Sequence, residues 1–263
     1  MHGDLDFLKL DQSRLDDLVS ERAADYRSAS PFEHTVIDDF LPPAMAEALL
    51  AGFPDPEDPV WLDWRKRSLE NQPGKLGLGE VFALYDLRHQ SSLLLTPFNS
   101  APFVRFLEGL TGIEGLCPDP YFMGGGMHQI LPGGLLRVHS DFNYHARLKL
   151  FRRINVLIYL NKDWRPEYKG ALELWDTALT RPEKEILPVF NRAVIFNTKR
   201  DAFHGHPRAL KAAMGMTRKS VALYYYTAAP AEGDETPRLG QYHSVGDERT
   251  SADIGGPGYV APE

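Results

Sequence analysis

From Tyr121 onward, short apolar or alternating runs recur with turn residues between them. They are Met127–Leu131, Leu135–Asp141, Arg153–Leu160, Ala171–Trp175, Ala193–Asn197 and Ser220–Thr227. Strands at this spacing predict a barrel or sandwich that closes to manage its edges. The first half of the chain carries a different pattern. Residues 5–27 place Leu5, Leu8, Leu15, Leu18 and Val19 among many charges, which predicts one or two short amphipathic helices. Thr35–Ile37 reads as a strand. Pro42-Pro43 then opens an Ala/Leu-rich helix from Ala44 that ends at Phe53-Pro54. Pro102 to Gly112 predicts a second helix with Phe103, Phe106, Leu107 and Leu110 on one face and a terminating glycine. Val81–Leu87 is a candidate strand. The stretch 54–80, with Trp61, Trp64, Arg65, Lys66 and Arg67, carries no readable pattern, and a long excursion of this kind is either functional or mobile. The tail, 228–263, is rich in Pro, Gly and acidic residues and reads as a surface loop rather than a cover over a barrel mouth.

Composition narrows the class. The chain has 263 residues, 43% hydrophobic and 25% charged, enough to bury a core without staples. A net charge of −7 argues against nucleic acid as the partner. The single cysteine, Cys117, excludes an intrachain disulfide and suits a reducing compartment. No signal peptide is visible and no stretch is apolar enough to span a membrane, so a soluble cytoplasmic protein is expected. The oligomeric state is left open.

Candidate chemistry centres on Leu136-Arg137-Val138-His139-Ser140-Asp141. In a strand, residues i and i+2 project from one face, so His139 and Asp141 point together. An imidazole and a carboxylate side by side are two thirds of a facial site for non-haem iron, and His204 is the candidate for the third ligand. The pair alone is weak, since about one His-x-Asp is expected by chance in such a chain. His2-Gly3-Asp4 repeats the spacing, but at a terminus without a strand pattern. On Arg153–Asn161, period two puts Arg153, Asn155, Leu157 and Tyr159 on one face and Ile154, Val156, Ile158 and Leu160 on the other; periodicity does not say which is inside. Arg218, Ser220, Ala222 and Tyr224 likewise share a face, and an arginine followed two residues later by serine can hold a carboxylate. Between these strands, Ala193–Asn197 leads into a loop bearing His204 and His206.

The order His-x-Asp, Tyr, His, Arg-x-Ser over residues 127–227 resembles the core of the iron(II)- and 2-oxoglutarate-dependent dioxygenases, in particular the prolyl-4-hydroxylase-like branch. Ile158-Tyr159-Leu160-Asn161-Lys162-Asp163-Trp164 is close to the corresponding strand and turn of the prolyl-hydroxylase oxygen sensors, and Gly170–Trp175 to the strand that follows. The resemblance implies a mainly β (α+β) fold: a double-stranded β-helix, or jelly-roll, over 121–227, with N-terminal helices from 1–120 packed outside, the tail 228–263, and one structural domain overall. It implies His139, Asp141 and His204 as iron ligands, with His204 preferred to His206 because the spacing and the following glycine fit it. Arg218 would pair with the distal carboxylate of 2-oxoglutarate, supported by Tyr159 and Ser220, with Gln129 and Asn155 as contacts either to the metal ligands or to the co-substrate. Fe(II), 2-oxoglutarate and O2 would take part, with ascorbate as an accessory reductant. The co-substrate would leave as succinate and CO2. A carboxylate at Asp141 leaves no vacant ligand position for a halide, so hydroxylation or a related oxidation is implied.

Two departures bear on the substrate. Arg218 follows His204 by fourteen positions, so 207–217 forms a larger loop. The segment 142–152 is also long, and its Tyr144, His145, Arg147, Lys149 and Arg152 either attract an anionic substrate or form a solvated edge cluster. The expected partner is a small molecule, an amino acid or biosynthetic intermediate. A peptidyl or protein prolyl hydroxylase is the alternative, and a barrel that binds a metal or ligand without reacting is the third reading.

Overall fold

A computed structural model describes residues 9–63, 71–79, 91–213 and 215–245. The candidate strand Val81–Leu87, the His2-Gly3-Asp4 motif, Leu5, Leu8, Trp64 to Arg67 and the tail beyond 245 lie outside them.

Two antiparallel sheets face each other. The larger contains β1 (His34–Ile37), β2 (Leu62–Asp63), β3 (Lys75–Leu78), β4 (Cys117–Pro118), β5 (Gly126–Ile130), β7 (Tyr144–His145), β8 (Leu150–Tyr159), β11 (Arg192–Asn197) and β13 (Arg218–Thr227). Its main path runs β1-β11-β8-β13-β5-β3-β2, with β4 on β13 and β7 on β8. The smaller contains β6 (Leu136–Ser140), β9 (Leu172–Trp175), β10 (Pro182–Ile186), β12 (His204–His206) and β14 (Gln241–His243), in the order β10-β9-β12-β6-β14. This is the expected jelly-roll.

The helices cover the outer face of the larger sheet. They are α1 (Gln12–Ser28), α2 (Pro43–Ala51), α3 (Ser91–Leu95) and α4 (Ala101–Thr111). Residues 5–27 had predicted one or two helices; the described part forms one, capped by the Asp11 carboxylate on the Ser13 amide. The apolar face of α4 is buried as read, and the helix stops at Gly112, whose φ of 74° is left-handed. Ile154, Val156 and Ile158 of β8, with Leu160 just after it, pack with Leu15, Leu49 and Phe106 in one large cluster. Tyr159, Leu172, Leu174, Val194 and Phe196 fill the space between the sheets. Both faces of β8 are therefore buried, and the polar positions on its inner face are not solvated.

A bulge corrects the reading of that strand. Tyr225 pairs with Ile154 but Tyr226 pairs with Arg152, so Arg153 is the extra residue and the alternation resets there. Arg152, not Arg153, shares the inner face with Asn155 and Tyr159. The Arg153 guanidinium turns to the Thr227 hydroxyl at 3.0 Å.

Two further expectations change. The histidine pair lies not in a loop but in β12, hydrogen-bonded between β6 and β9. The tail is not simply a surface loop: its β14 adds to β6, with Tyr242 opposite His139.

Candidate active site

Strand pairing brings the predicted residues together. His204 lies directly opposite His139 across β12 and β6, and Asp141 follows β6 by one residue. Glycine permits this approach: a Cβ on Gly205 would meet the backbone oxygens of Arg137 and Leu136 at 2.8 and 2.9 Å. Among the described residues, His139, Asp141 and His204 form a group able to hold a metal ion, with ligand atoms all within 4.8 Å of one another. Nε2 of His139 is 3.5 Å from Asp141 Oδ1, and Nε2 of His204 is 3.4 Å from Oδ2.

The chemistry of the three side chains fits a divalent ion. His139 Nδ1 lies 2.9 Å from the Arg137 carbonyl, and His204 Nδ1 2.9 Å from that of Ala202. A carbonyl only accepts, so each Nδ1 carries a proton, and Nε2 is the nitrogen turned toward the metal position. Burial lowers the His204 pKa to about 4, which keeps that ring neutral. Burial would raise the carboxyl of Asp141, but Arg152 and the two imidazoles outweigh it and hold it well below its usual range. The site therefore presents two imidazoles with Nε2 toward one ionised carboxylate.

Asp141 is held by Asn155, one of the contacts expected, and by Arg152, which sequence reading placed at the substrate mouth or on a solvated edge. Asn155 Nδ2 donates to Oδ2 at 2.7 Å, and Arg152 Nη2 lies 3.1 Å from the same atom. Arg152 also donates twice to Asn155 Oδ1, at 2.9 and 2.6 Å, and its guanidinium stacks 3.5 Å over the Tyr224 ring. Arg152 is thus neither a solvated edge charge nor a group at the mouth. Of its neighbours, His145 is buried, whereas Arg147, with its guanidinium over the Tyr121 ring, and Lys149 are exposed, as edge charges would be.

A cavity of about 110 Å³ opens beside the triad. Arg218 lines it, 5% exposed, with Nε donating to the Gly170 carbonyl at 2.7 Å and Nη2 to the Tyr159 hydroxyl at 3.2 Å. Asn155 also lines it. Ser220 is buried on the same face as Arg218 but is not among the lining residues. Gln129 is misplaced: its side chain points away, accepting from the Thr217 hydroxyl at 2.8 Å and donating to the Pro54 carbonyl at 3.3 Å. Its neighbour His128 faces the cavity, because β5 is in the opposite phase to the one assumed. His206 lines the cavity, apart from the triad.

Lys75, Gln72 and Tyr242 were not anticipated. Tyr242 stacks on His139, with centroids 5.1 Å apart and planes 24° apart, and its hydroxyl accepts from the Gln72 amide. Arg238 donates to the Asp141 backbone carbonyl and pairs with Asp234, while Asn143 binds the carbonyls of Asp234 and Thr236. The tail is tied to β6 by these contacts. The only sequence signal was the polar and aromatic content of 234–243, which equally suits a loop.

Comparison with known proteins agrees with this geometry. A family model described as the 2OG-Fe(II) oxygenase superfamily matches residues 125–226. No curated protein matches the chain. Among solved structures, a prolyl hydroxylase from Trichoplax adhaerens, in complex with a hypoxia inducible factor peptide fragment, superposes with a TM-score of 0.52 at 19% identity, over 84% of this chain and 95% of that one. A prolyl 4-hydroxylase from Phytophthora capsici gives 0.52 at 18% identity, over 84% and 66%. HygX from Streptomyces hygroscopicus, with nickel and 2-oxoglutarate bound, gives 0.50 at 14% identity, over 97% and 98%. At these identities the superpositions speak for the fold. No helix among the described residues is long and apolar enough to cross a membrane. The segment that the 2OG-Fe(II) oxygenase superfamily model matches, residues 125–226, is the one that carries His139, Asp141, His204 and Arg218.

Proposed function

We propose that the chain hydroxylates a small molecule at an unactivated C–H, with His139, Asp141 and His204 holding iron(II) and Arg218 holding the distal carboxylate of 2-oxoglutarate. The observation that carries this reading is a close set of two imidazoles and a carboxylate in one cavity with a buried arginine. When bound, iron(II) and 2-oxoglutarate supply the oxidation, consuming O2 and releasing succinate and CO2.

The chain's own groups set the geometry. The Nδ1–H bonds to Arg137 and Ala202 fix the ring tautomers, and Asn155 and Arg152 orient the Asp141 carboxylate. Tyr159 adds a hydroxyl beside Arg218. Leu136, Leu157, Leu172 and Ala222 give the cavity apolar walls that exclude water.

A small substrate is favoured because the N-terminal segment and the tail meet over the triad. Gln72 bonds Tyr242 there, and Gly240 lines the same wall. A peptidyl prolyl hydroxylase is the second reading, supported by the sequence from Ile158 to Trp164. Succinate release would be measured with a metabolite pool and with proline-containing peptides. Coupled turnover with the pool alone is expected. Turnover confined to peptides would replace the first reading with the second, and no turnover with either would leave a barrel that binds without reacting.

A further inference from the structure

His206 is a buried imidazole that the proposed chemistry does not use. It is 2% exposed and lines the cavity from β12, yet neither ring nitrogen has a hydrogen-bond partner among the described residues. A buried polar group left unpaired is costly, and native structures pair nearly all of them. An imidazole carries at least one N–H whichever tautomer it adopts. The cavity therefore holds an unused donor that a ligand would satisfy.

Strand register says where along the cavity this donor sits. His206 follows His204 by two residues on β12, so both rings project from one face, about 7 Å apart along the strand. On one side the pairing slips between them: His204 opposes His139 and His206 opposes Leu136, and both of those β6 partners line the cavity. On the other side, His204 opposes Leu174 and Gly205 opposes Glu173, so β12 runs from the triad toward the start of β9. Gly170 stands just before β9, and its carbonyl accepts from Arg218 Nε at 2.7 Å. Arg218 is also the charged group that acts most strongly on the His206 ring. His206 thus lies between the triad and the buried guanidinium.

The ligand that crosses this interval is the co-substrate. 2-Oxoglutarate carries a carboxylate at each end, and with its keto-acid end at the triad it turns the other toward Arg218. A substrate C–H must instead approach the triad itself. A carboxylate accepts about four hydrogen bonds, and Arg218 has already given Nε to Gly170 and Nη2 to the Tyr159 hydroxyl, so there is room for another donor.

Resting on the reading above, we infer that His206 is a co-substrate-binding residue, whose ring N–H donates to the distal carboxylate of 2-oxoglutarate beside Arg218. Arg218 stands on β13 of the larger sheet and His206 on β12 of the smaller, so the carboxylate is held from both sheets. His206 then serves the end of the co-substrate remote from the metal, and His204 the end at it.

The test titrates 2-oxoglutarate anaerobically into full-length protein loaded with iron(II). Oxalate is compared by calorimetric titration, because it chelates a metal through its two carboxylates and has no distal group. His206→Leu should weaken 2-oxoglutarate at least tenfold, as loss of a hydrogen bond to a charged group does, while oxalate affinity stays within twofold. Should His206→Leu fail to fold by circular dichroism, His206→Phe, which keeps a flat ring, carries the same comparison. A 2-oxoglutarate affinity within threefold of wild type overturns the inference and leaves the ring to an ordered water. Equal losses for the two ligands overturn it as well, since they place the effect of His206 at the metal. In either case, a 2-oxoglutarate defect in Arg218→Gln keeps the proposed function standing. Wild-type protein that binds iron(II) but no 2-oxoglutarate sinks both.

Discussion

Replacing Arg218 by Gln is the sharpest probe of the proposed co-substrate site. The guanidinium is 5% exposed and makes two hydrogen bonds, to the Gly170 carbonyl at 2.7 Å and the Tyr159 hydroxyl at 3.2 Å. Removing it has two separable costs. Without ligand, a buried carbonyl loses a donor, worth about 1 kcal/mol of stability. With ligand, the distal carboxylate enters a buried site without its cation. Breaking a buried ion pair from one side costs about 3–5 kcal/mol, and each 1.4 kcal/mol is about tenfold in affinity. The dissociation constant for 2-oxoglutarate should therefore rise by about two orders of magnitude or more, while a urea melt moves only slightly. The assay is an anaerobic titration of iron(II) and 2-oxoglutarate, followed by the weak visible band of the chelated keto acid. Tyr159→Phe should weaken binding by roughly tenfold at most, and that effect should shrink in the Arg218→Gln background, because the hydroxyl acts beside the guanidinium. A 2-oxoglutarate affinity within threefold of wild type in Arg218→Gln would refute the assignment.

Three further outcomes are expected. His204→Ala should lower metal affinity at least tenfold by calorimetric titration, whereas His206→Ala should change it less than threefold; the reverse ranking would exchange their roles. Gly205→Ala should weaken metal binding with the fold retained by circular dichroism, since the added Cβ would press within 3 Å of the Arg137 and Leu136 oxygens and drive β12 off β6; unchanged affinity would mean the triad tolerates that shift. Lys75→Met should stabilise the apoprotein at pH 7, because the fold disfavours the charged form that the unfolded chain carries freely. Between pH 8 and 10.5 the unfolded chain binds the proton and the folded one does not, so wild-type stability rises with pH and the gap, about 3 kcal/mol at most, closes. Asp141, Arg152, Arg218, His128 and His206 line the cavity with Lys75, so the variant difference, rather than either curve alone, isolates it. Parallel curves in denaturant melts across that window would contradict the shift.

Much of the fold was legible because burial imposes a period. Strands β5, β6, β8, β9, β11 and β13 and helix α4 carry enough apolar residues at fixed spacing to declare themselves to within three residues at each end. The order of His139, Asp141, Tyr159, His204 and Arg218 along the chain pointed to one cavity; Arg218 and the triad line it, and the Tyr159 hydroxyl is bonded to Arg218 behind that wall. What periodicity could not decide was which face of β8 looks inward, since both are buried against different layers.

The features that escaped are those whose place is decided by a partner strand rather than by their own side chains. β12 is His-Gly-His and β10 is Pro-Glu-Lys-Glu-Ile; neither buries an apolar stripe of its own, and each is a strand because a neighbour offers backbone groups. β14 has the same origin, which is why a tail that reads as loop ends against His139. The Arg152 case is subtler. Strict alternation puts Arg153 inside, and only the bulge opposite Tyr225 and Tyr226 exchanges the two arginines. That one-residue slip converts an apparent edge charge into the partner of Asp141, and with it the electrostatics of the site: a carboxylate that burial alone would protonate stays ionised beside a guanidinium. Lys75 lines the same cavity. Its strand, too, carried no pattern to announce it, and its register against β5 is what sets the ammonium on the inner face.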